Sequence, residues 1–136
     1  MSEDAGEAAP AQIRVRRGEV ESDAALAWRY EGGAWIVTLT MDAGAQTFEA
    51  SADDAFEALC RVREQAEPDG WRVGVAGARP DVWPSGMARD QGGGLVAYRF
   101  GPAGVEGTVD TFAPVDPATA TIVAVQRENA ARAGLA

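Results

Sequence analysis

The chain has 136 residues, of which 46% are hydrophobic, and a formal net charge of −9; this length and composition predict one globular domain with a buried core rather than a disordered chain. The acidic balance argues against nucleic-acid binding, since phosphate contacts need a basic face, and it favours a basic partner. The chain has no histidine and a single cysteine, Cys60, which excludes a Ser-His-Asp or Cys-His catalytic arrangement, a Cys/His zinc site and a disulfide within the chain.

Residues 1–11 are acidic and lack hydrophobic periodicity, which predicts a mobile tail ahead of a single domain over residues 12–136. The tail has no apolar segment of the kind found in a signal peptide. No run in the chain has the apolar length of a membrane span. We therefore expect a cytoplasmic protein without a membrane interaction.

Alternating apolar and polar residues predict four strands in the first half of the chain. The predicted strands are Ile13–Glu19, Ala24–Tyr30, Trp35–Met41 and Gln46–Ala50. Asp42-Ala43-Gly44 fits a tight hairpin turn between the last two. Short connections of this kind indicate an antiparallel meander.

A helical period replaces the alternation over residues 51–66. Ser51 fits the N-cap position, and Asp54 three residues later completes a pattern similar to a capping box. Apolar residues then follow at helical spacing, and they include Cys60. A cysteine in such a stripe is expected to be buried and unreactive.

The second half of the chain adds two or three strands and a final helix. The strands are predicted at Trp71–Ala76, Leu95–Phe100 and Gly107–Phe112, and the helix at about residues 118–133. Together the elements predict an α+β fold in which a mostly antiparallel sheet of six to seven strands carries two helices on one face.

The segment Gly74–Gly94 is the main candidate site, because long connections inside a compact domain often carry function. Its candidate contact residues are Arg79, Asp81, Trp83, Ser85, Met87, Arg89, Asp90, Gly92, Gly93 and Gly94. Ser85 could cap a helical turn through Arg89, and the two arginines could hold an anion with the glycine amides. Alternatively, Arg79 pairs with Asp81 and Arg89 with Asp90 or a helix acid, and the segment only closes the sheet edge.

Other chemistries lack their motifs in this chain. The glycine run has no P-loop lysine and opens no clear helix, so neither standard nucleotide-binding motif is present. The acidic pairs Asp53–Asp54 and Glu64–Glu67 fit solvated helix positions rather than a metal or acid–base site. We expect no metal and no cofactor. Three of the four tryptophans fall on inward-facing strand positions, namely Trp28, Trp35 and Trp71. We therefore expect Trp83 to be the tryptophan that contacts a partner.

The stretch GARPDVWPSGMARDQGGGLVAYRF, with VDTFAPVD after it, resembles small bacterial proteins of no known activity. These proteins carry a similar Arg, Pro-Ser-Gly-Met and Gly-Gly-Gly segment ahead of an aromatic strand, then an Asp-x-Phe segment and a last helix. The resemblance covers about the second half of the chain. It implies a bacterial, cytoplasmic origin and carries over no catalytic or binding residue.

Three functional hypotheses follow. The leading one is a non-enzymatic acidic interaction protein that binds a basic protein, for example as an immunity protein that neutralises a basic toxin. The alternative is a small-anion or metabolite-binding module that uses the 77–94 loop. The third is an enzyme that works with carboxylates and arginine alone, in a cleft lined by Asp81, Arg89 and Asp90. The sequence leaves the oligomeric state open.

Overall fold

The computed structural model describes residues 10–136, which form eight strands and three α-helices in two antiparallel sheets. The strands are β1 Ala11–Arg17, β2 Val20–Glu31, β3 Ala34–Met41, β4 Gln46–Ala52, β5 Trp71–Val73, β6 Val82–Trp83, β7 Val96–Gly101 and β8 Gly104–Asp110; the helices are α1 Ala55–Ala66, α2 Gly86–Gly92 and α3 Val123–Arg132. The α+β class and the antiparallel pairing are as predicted. The chain, however, builds two sheets rather than one, with eight strands in place of the expected six to seven and three α-helices in place of two. Within the described part, no helix combines the length and apolarity that crossing a membrane requires.

The larger sheet has the order β4-β3-β2-β1-β5. Its first four strands are the predicted meander, and side chains alternate between a buried and an exposed face. The inner face supplies the main core, including Ile13, Val15, Leu26, Val37, Leu39 and Met41, all of them buried. Ala11 is part of β1, where it pairs with Leu26, so the predicted tail is too long by one residue at least. Pro10 is exposed and precedes the strand, and tail residues 1–9 lie outside the described residues.

Helix α1 covers the inner face of this sheet, and its predicted start is wrong. Ser51 still belongs to β4, and Asp54 is the N-cap, whose carboxylate accepts a hydrogen bond from the Glu57 amide at 2.8 Å. Both residues suit an N-cap, but β4 continues through Ala52 because that residue pairs with Trp35 of β3. Strand pairing therefore decides between two locally equivalent caps.

The outer edge of β4 is protected by side chains of α1. Arg61 donates a hydrogen bond to the Ser51 carbonyl at 2.8 Å, and Gln65 donates one to the Glu49 carbonyl at 3.0 Å. These carbonyls would otherwise be open to another strand. The helix thus closes this edge of the sheet against further pairing.

The smaller sheet has the order β6-β7-β8 and comes entirely from the second half of the chain. Its strands pair through consecutive antiparallel connections, with one bulge between Arg99 and Phe100. The last helix is shorter than predicted, because residues 117–119 form a separate 3-10 turn capped by Asp116 and α3 begins only at Val123. Phe56, Cys60, Trp83, Phe100, Val123 and Ala130 form a second apolar cluster between α1, α3 and this sheet.

Arg63 of α1 joins these parts through a fully buried guanidinium, with 1% of the residue exposed. It donates to the side-chain oxygen of Gln126 at 2.7 Å, to the Thr121 carbonyl at 2.7 Å and to the Gly77 carbonyl at 3.3 Å. Gln126, also buried, donates in turn to the Gly77 and Val82 carbonyls. No carboxylate of the described chain forms an ion pair with Arg63, so carbonyl oxygens solvate its charge.

Replacing Arg63 with methionine should destabilise the fold by about 3 kcal/mol, because buried acceptors on Thr121 and Gln126 lose their donor. Arg61→Met is the matched control on the exposed side of the same helix, and its ion pair with Glu57 should contribute less than about 1 kcal/mol. Urea denaturation of both variants measures the difference. Equal losses would show that the buried network does not hold the layers together.

Candidate functional site

The Gly74–Gly94 segment is folded along its length rather than being one long loop. It contains a 3-10 turn at Ala76–Ala78, the short strand β6 and the helix α2. Ser85 is the N-cap of α2 and accepts a hydrogen bond from the Ala88 amide at 2.9 Å. The predicted cap is therefore confirmed, and the helix runs past Arg89 to Gly92.

Both arginines of the segment are engaged by carboxylates. The Arg79 guanidinium meets Asp81 through two hydrogen bonds of 3.0 and 3.2 Å, and this bonding raises the pKa of Arg79. Arg89 lies 3.2 Å from the Asp54 carboxylate and 3.5 Å from that of Glu57. These are the pairs that the structural alternative predicted, with helix acids as the partners of Arg89.

The carboxylates of the segment do not converge on Arg89. Asp81 pairs with Arg79, and Asp90 is exposed without an ion-pair partner among the described residues. The described part also brings together no group of three or more acidic or cysteine side chains that could hold a metal ion. The cleft that the enzyme hypothesis requires is therefore not assembled from these side chains.

Trp83 is buried, with 4% of its surface exposed. Its ring packs edge-on against Phe56 at 5.1 Å between centroids, and the guanidinium groups of Arg89 and Arg127 lie 5.3 and 5.7 Å from its centre. Trp83 thus belongs to the second apolar cluster and has little surface to offer a partner. Met87 of α2, at 68% exposed, is the accessible apolar side chain of the segment.

The glycine run brings α2 against the start of α1. The Gly93 carbonyl accepts a hydrogen bond from the Ala55 amide at 2.7 Å, and the Gly94 carbonyl accepts one from the Thr111 hydroxyl at 2.6 Å. A Cβ at Gly94 would lie 2.8 Å from the Asp54 carboxylate, and one at Gly93 would lie 2.7 Å from the Trp35 ring. Close approach therefore requires these two glycines, whereas a Cβ at Gly92 meets nothing.

The buried thiol and a half-buried carboxylate have shifted proton affinities. Burial raises the pKa of the Cys60 thiol to about 11, which keeps it protonated at neutral pH. Burial also raises the pKa of Glu67, whose carboxylate accepts a hydrogen bond from the Val123 amide. Cys60 lies inside the second cluster and Glu67 caps the start of α3, so both environments have structural explanations.

The distribution of charge leaves carboxylates in excess on the surface. Most arginines form an ion pair with a carboxylate, namely Arg14, Arg16, Arg29, Arg61, Arg79, Arg89, Arg99 and Arg132. Several exposed acids have no ion-pair partner in the described part: Glu19, Asp42, Asp53, Glu64, Asp69, Asp90 and Asp110. The surface charge that is not used in ion pairs is therefore predominantly negative.

The smaller sheet presents an open edge that sequence reasoning missed. Along β8 the residues are exposed or half-buried, with Val105 at 51% exposed, and neighbouring Val96 of β7 is 44% exposed. The sheet ends at an apolar groove of about 390 Å³, lined by Trp28, Leu95, Val96, Asp110, Phe112 and Pro114. Alternation of residue types indicated part of β8, but only the strand order shows that β8 lies at an edge.

Comparison with known proteins assigns the chain to no family. No protein-family model matches the chain, and no curated protein matches it at a significant level. The evidence for function therefore comes from the geometry of the site itself.

Gly94→Ala should destabilise the fold by about 3 kcal/mol, because it adds a steric clash with Asp54 to the cost of a positive φ. Gly33→Ala is the control, since Gly33 has a similar φ of +83 against +74 but open space around it, and it should cost about 1 kcal/mol. Thermal unfolding of both variants tests the difference. Equal costs would contradict tight packing between the glycine run and α1.

The Cys60 thiol predicts a pH dependence of stability. Its pKa rises from an ordinary 9.0 to about 11 in the folded state, so the folded protein holds the proton more tightly than the unfolded chain. This contribution is complete below pH 9.0 and is lost as the pH rises towards 11. Urea denaturation across this range should show a steeper loss in the native chain than in Cys60→Ala; parallel curves would contradict the burial of the thiol.

Proposed function

We propose that the protein is a non-enzymatic interaction protein of the bacterial cytoplasm that binds a basic protein partner, with neutralisation of a basic toxin as the specific form. The observation that carries the proposal is the charge distribution. Most arginines form ion pairs within the chain, while several exposed carboxylates have no ion-pair partner in the described part of a chain of net charge −9. Such a field accelerates association with a basic protein.

The chemistry of the segment supports binding over catalysis. Its two arginines are neutralised by Asp81, Asp54 and Glu57, and the one thiol is buried with a raised pKa. General acid–base work needs a titratable group that can reach a substrate. The unpaired acids instead lie on the surface, where they can meet basic side chains of another protein.

The anion-binding alternative is less well supported. An anion held by Arg79 and Arg89 would have to displace carboxylates that already lie at 3.0 and 3.2 Å. Each displaced carboxylate would then need a new partner, and Asp54 is buried. A small anion gains too little from two such exchanges to compete with the internal ion pairs.

A protein recovered by low-salt pull-down from the bacterial cells that make this chain should be basic. Its association rate should fall roughly tenfold or more between about 50 and 500 mM salt, while dissociation changes less. Stopped-flow or surface-based kinetics on the purified pair measures both rates.

The matched variants are Glu64→Gln with Asp69→Asn, which removes two unpaired charges, and Glu128→Gln with Arg132→Gln, which removes an exposed ion pair at constant net charge. Only the first should slow association. A neutral or acidic partner, or a rate insensitive to salt, would overturn the proposal.

A further inference from the structure

We propose that the free edge of β8 is the docking site for an extended, basic segment of the partner, which adds to the sheet β6-β7-β8 as a further strand. The inference deepens the proposed function, on which its choice of a basic occupant rests. It names the surface, the backbone groups and the kind of peptide that the surface fits.

The backbone of β8 alternates between its neighbour and the open edge. The Thr111 amide donates to the Leu95 carbonyl at 2.9 Å, and Leu95 lies opposite Thr111 in the register of β7 and β8. On the other side of β7, the Phe100 amide donates a hydrogen bond to the backbone carbonyl of Asp81, which precedes β6. Both bonds indicate the same alternation, in which the backbone groups of odd-numbered β7 residues point towards β8. The register pairs them with odd-numbered β8 residues, so the amides of Thr108 and Asp110 point away from the sheet.

These outward amides are available to another strand. Thr108 and Asp110 are both exposed, and neither amide donates a backbone hydrogen bond outside the β7–β8 ladder within the described chain. The edge at β4 is different, because Arg61 and Gln65 occupy its outward carbonyls. An unprotected edge strand is a ready template for pairing.

One unpaired carboxylate beside this edge favours a basic occupant. Asp110 carries an exposed carboxylate that has no ion-pair partner among residues 10–136, and Thr108 lies two residues away on the same side of the strand. An arginine or lysine opposite Asp110 on an added strand would lie within pairing distance. A second copy of this chain fits poorly, since each copy has a net charge of −9.

The edge also leads into an apolar groove. Val96, paired with Asp110, lines it together with Trp28 and Phe112, whose rings stack at 4.2 Å. An added strand that ends beside Asp110 can place one apolar side chain there. The preferred segment therefore alternates basic and small apolar residues and ends in a larger apolar residue.

The test uses a synthetic peptide of about ten residues in which arginine alternates with valine, ending in leucine. Titration calorimetry with the full chain should show binding that weakens about tenfold or more in Thr108→Pro, which removes one outward amide. Thr47→Pro is the matched control, since Thr47 is also exposed on an edge strand, and it should bind like the native chain. Circular dichroism checks that both variants fold.

Three further peptides separate the possible outcomes. A version with every backbone amide methylated keeps its charge but can donate no backbone hydrogen bond to the edge, so it cannot pair as a strand. Equal binding of this peptide would overturn edge docking and leave the basic partner in place. A glutamate version should bind at least about tenfold more weakly, and a threonine version that binds as well as the arginine peptide would overturn the basic occupant. Failure of every arginine peptide to bind would count against both the basic partner and its docking at the edge of β8. A dimer of the native chain that Thr108→Pro abolishes would assign the edge to a second copy.

Discussion

The structure depends on one buried charge. Arg63 lies inside the protein without a carboxylate partner, so its guanidinium must be solvated by carbonyl oxygens. Those oxygens come from Gly77, Thr121 and Gln126, which lie far from Arg63 in the sequence. Burial lowers the pKa of Arg63, but an arginine stays charged in a protein. The chain must therefore bring three separate segments to one point of α1, and this requirement fixes the second half of the molecule on the first.

This arrangement explains how the glycine-rich segment packs against α1. Once Gly77 and Val82 are held by Arg63 and Gln126, the chain beyond them runs over the start of α1. Arg89 and the glycines Gly93 and Gly94 fill the narrow space there. Among the candidate contact residues, Arg89, Gly93 and Gly94 thus make close contacts within the fold. What remains open is the acidic surface, on which the proposed function rests, and the edge of β8, where we place the docking of the partner.

Much of the fold follows from local patterns, and the failures have identifiable causes. Alternation of apolar and polar residues predicts the meander because its four strands each bury one face only, as the buried Val37 and Leu39 of β3 show. The predicted start of α1 is wrong because Ser51 and Asp54 suit an N-cap equally well from local sequence. The pairing of β4 with β3 determines that Asp54 is the N-cap. Arg63 lies at helical spacing from Leu59 and Cys60, which indicates that it is on the buried face of the helix. Because arginine is charged, the sequence pattern alone does not predict its burial. The partners of Arg89 and the open edge of β8 depend on tertiary packing and strand order, which no local pattern contains.

Residue-resolved hydrogen exchange of the whole free chain tests this account most directly. If Arg63 joins the layers into one cooperative unit, the slowest amides of α1, of α3 and of the central strands should exchange only through global unfolding, with one common free energy. The outward amides of Thr108 and Asp110 should exchange much faster. Exchange of the α3 amides through a separate, lower-energy opening, or strong protection of Thr108 in the free protein, would contradict the account.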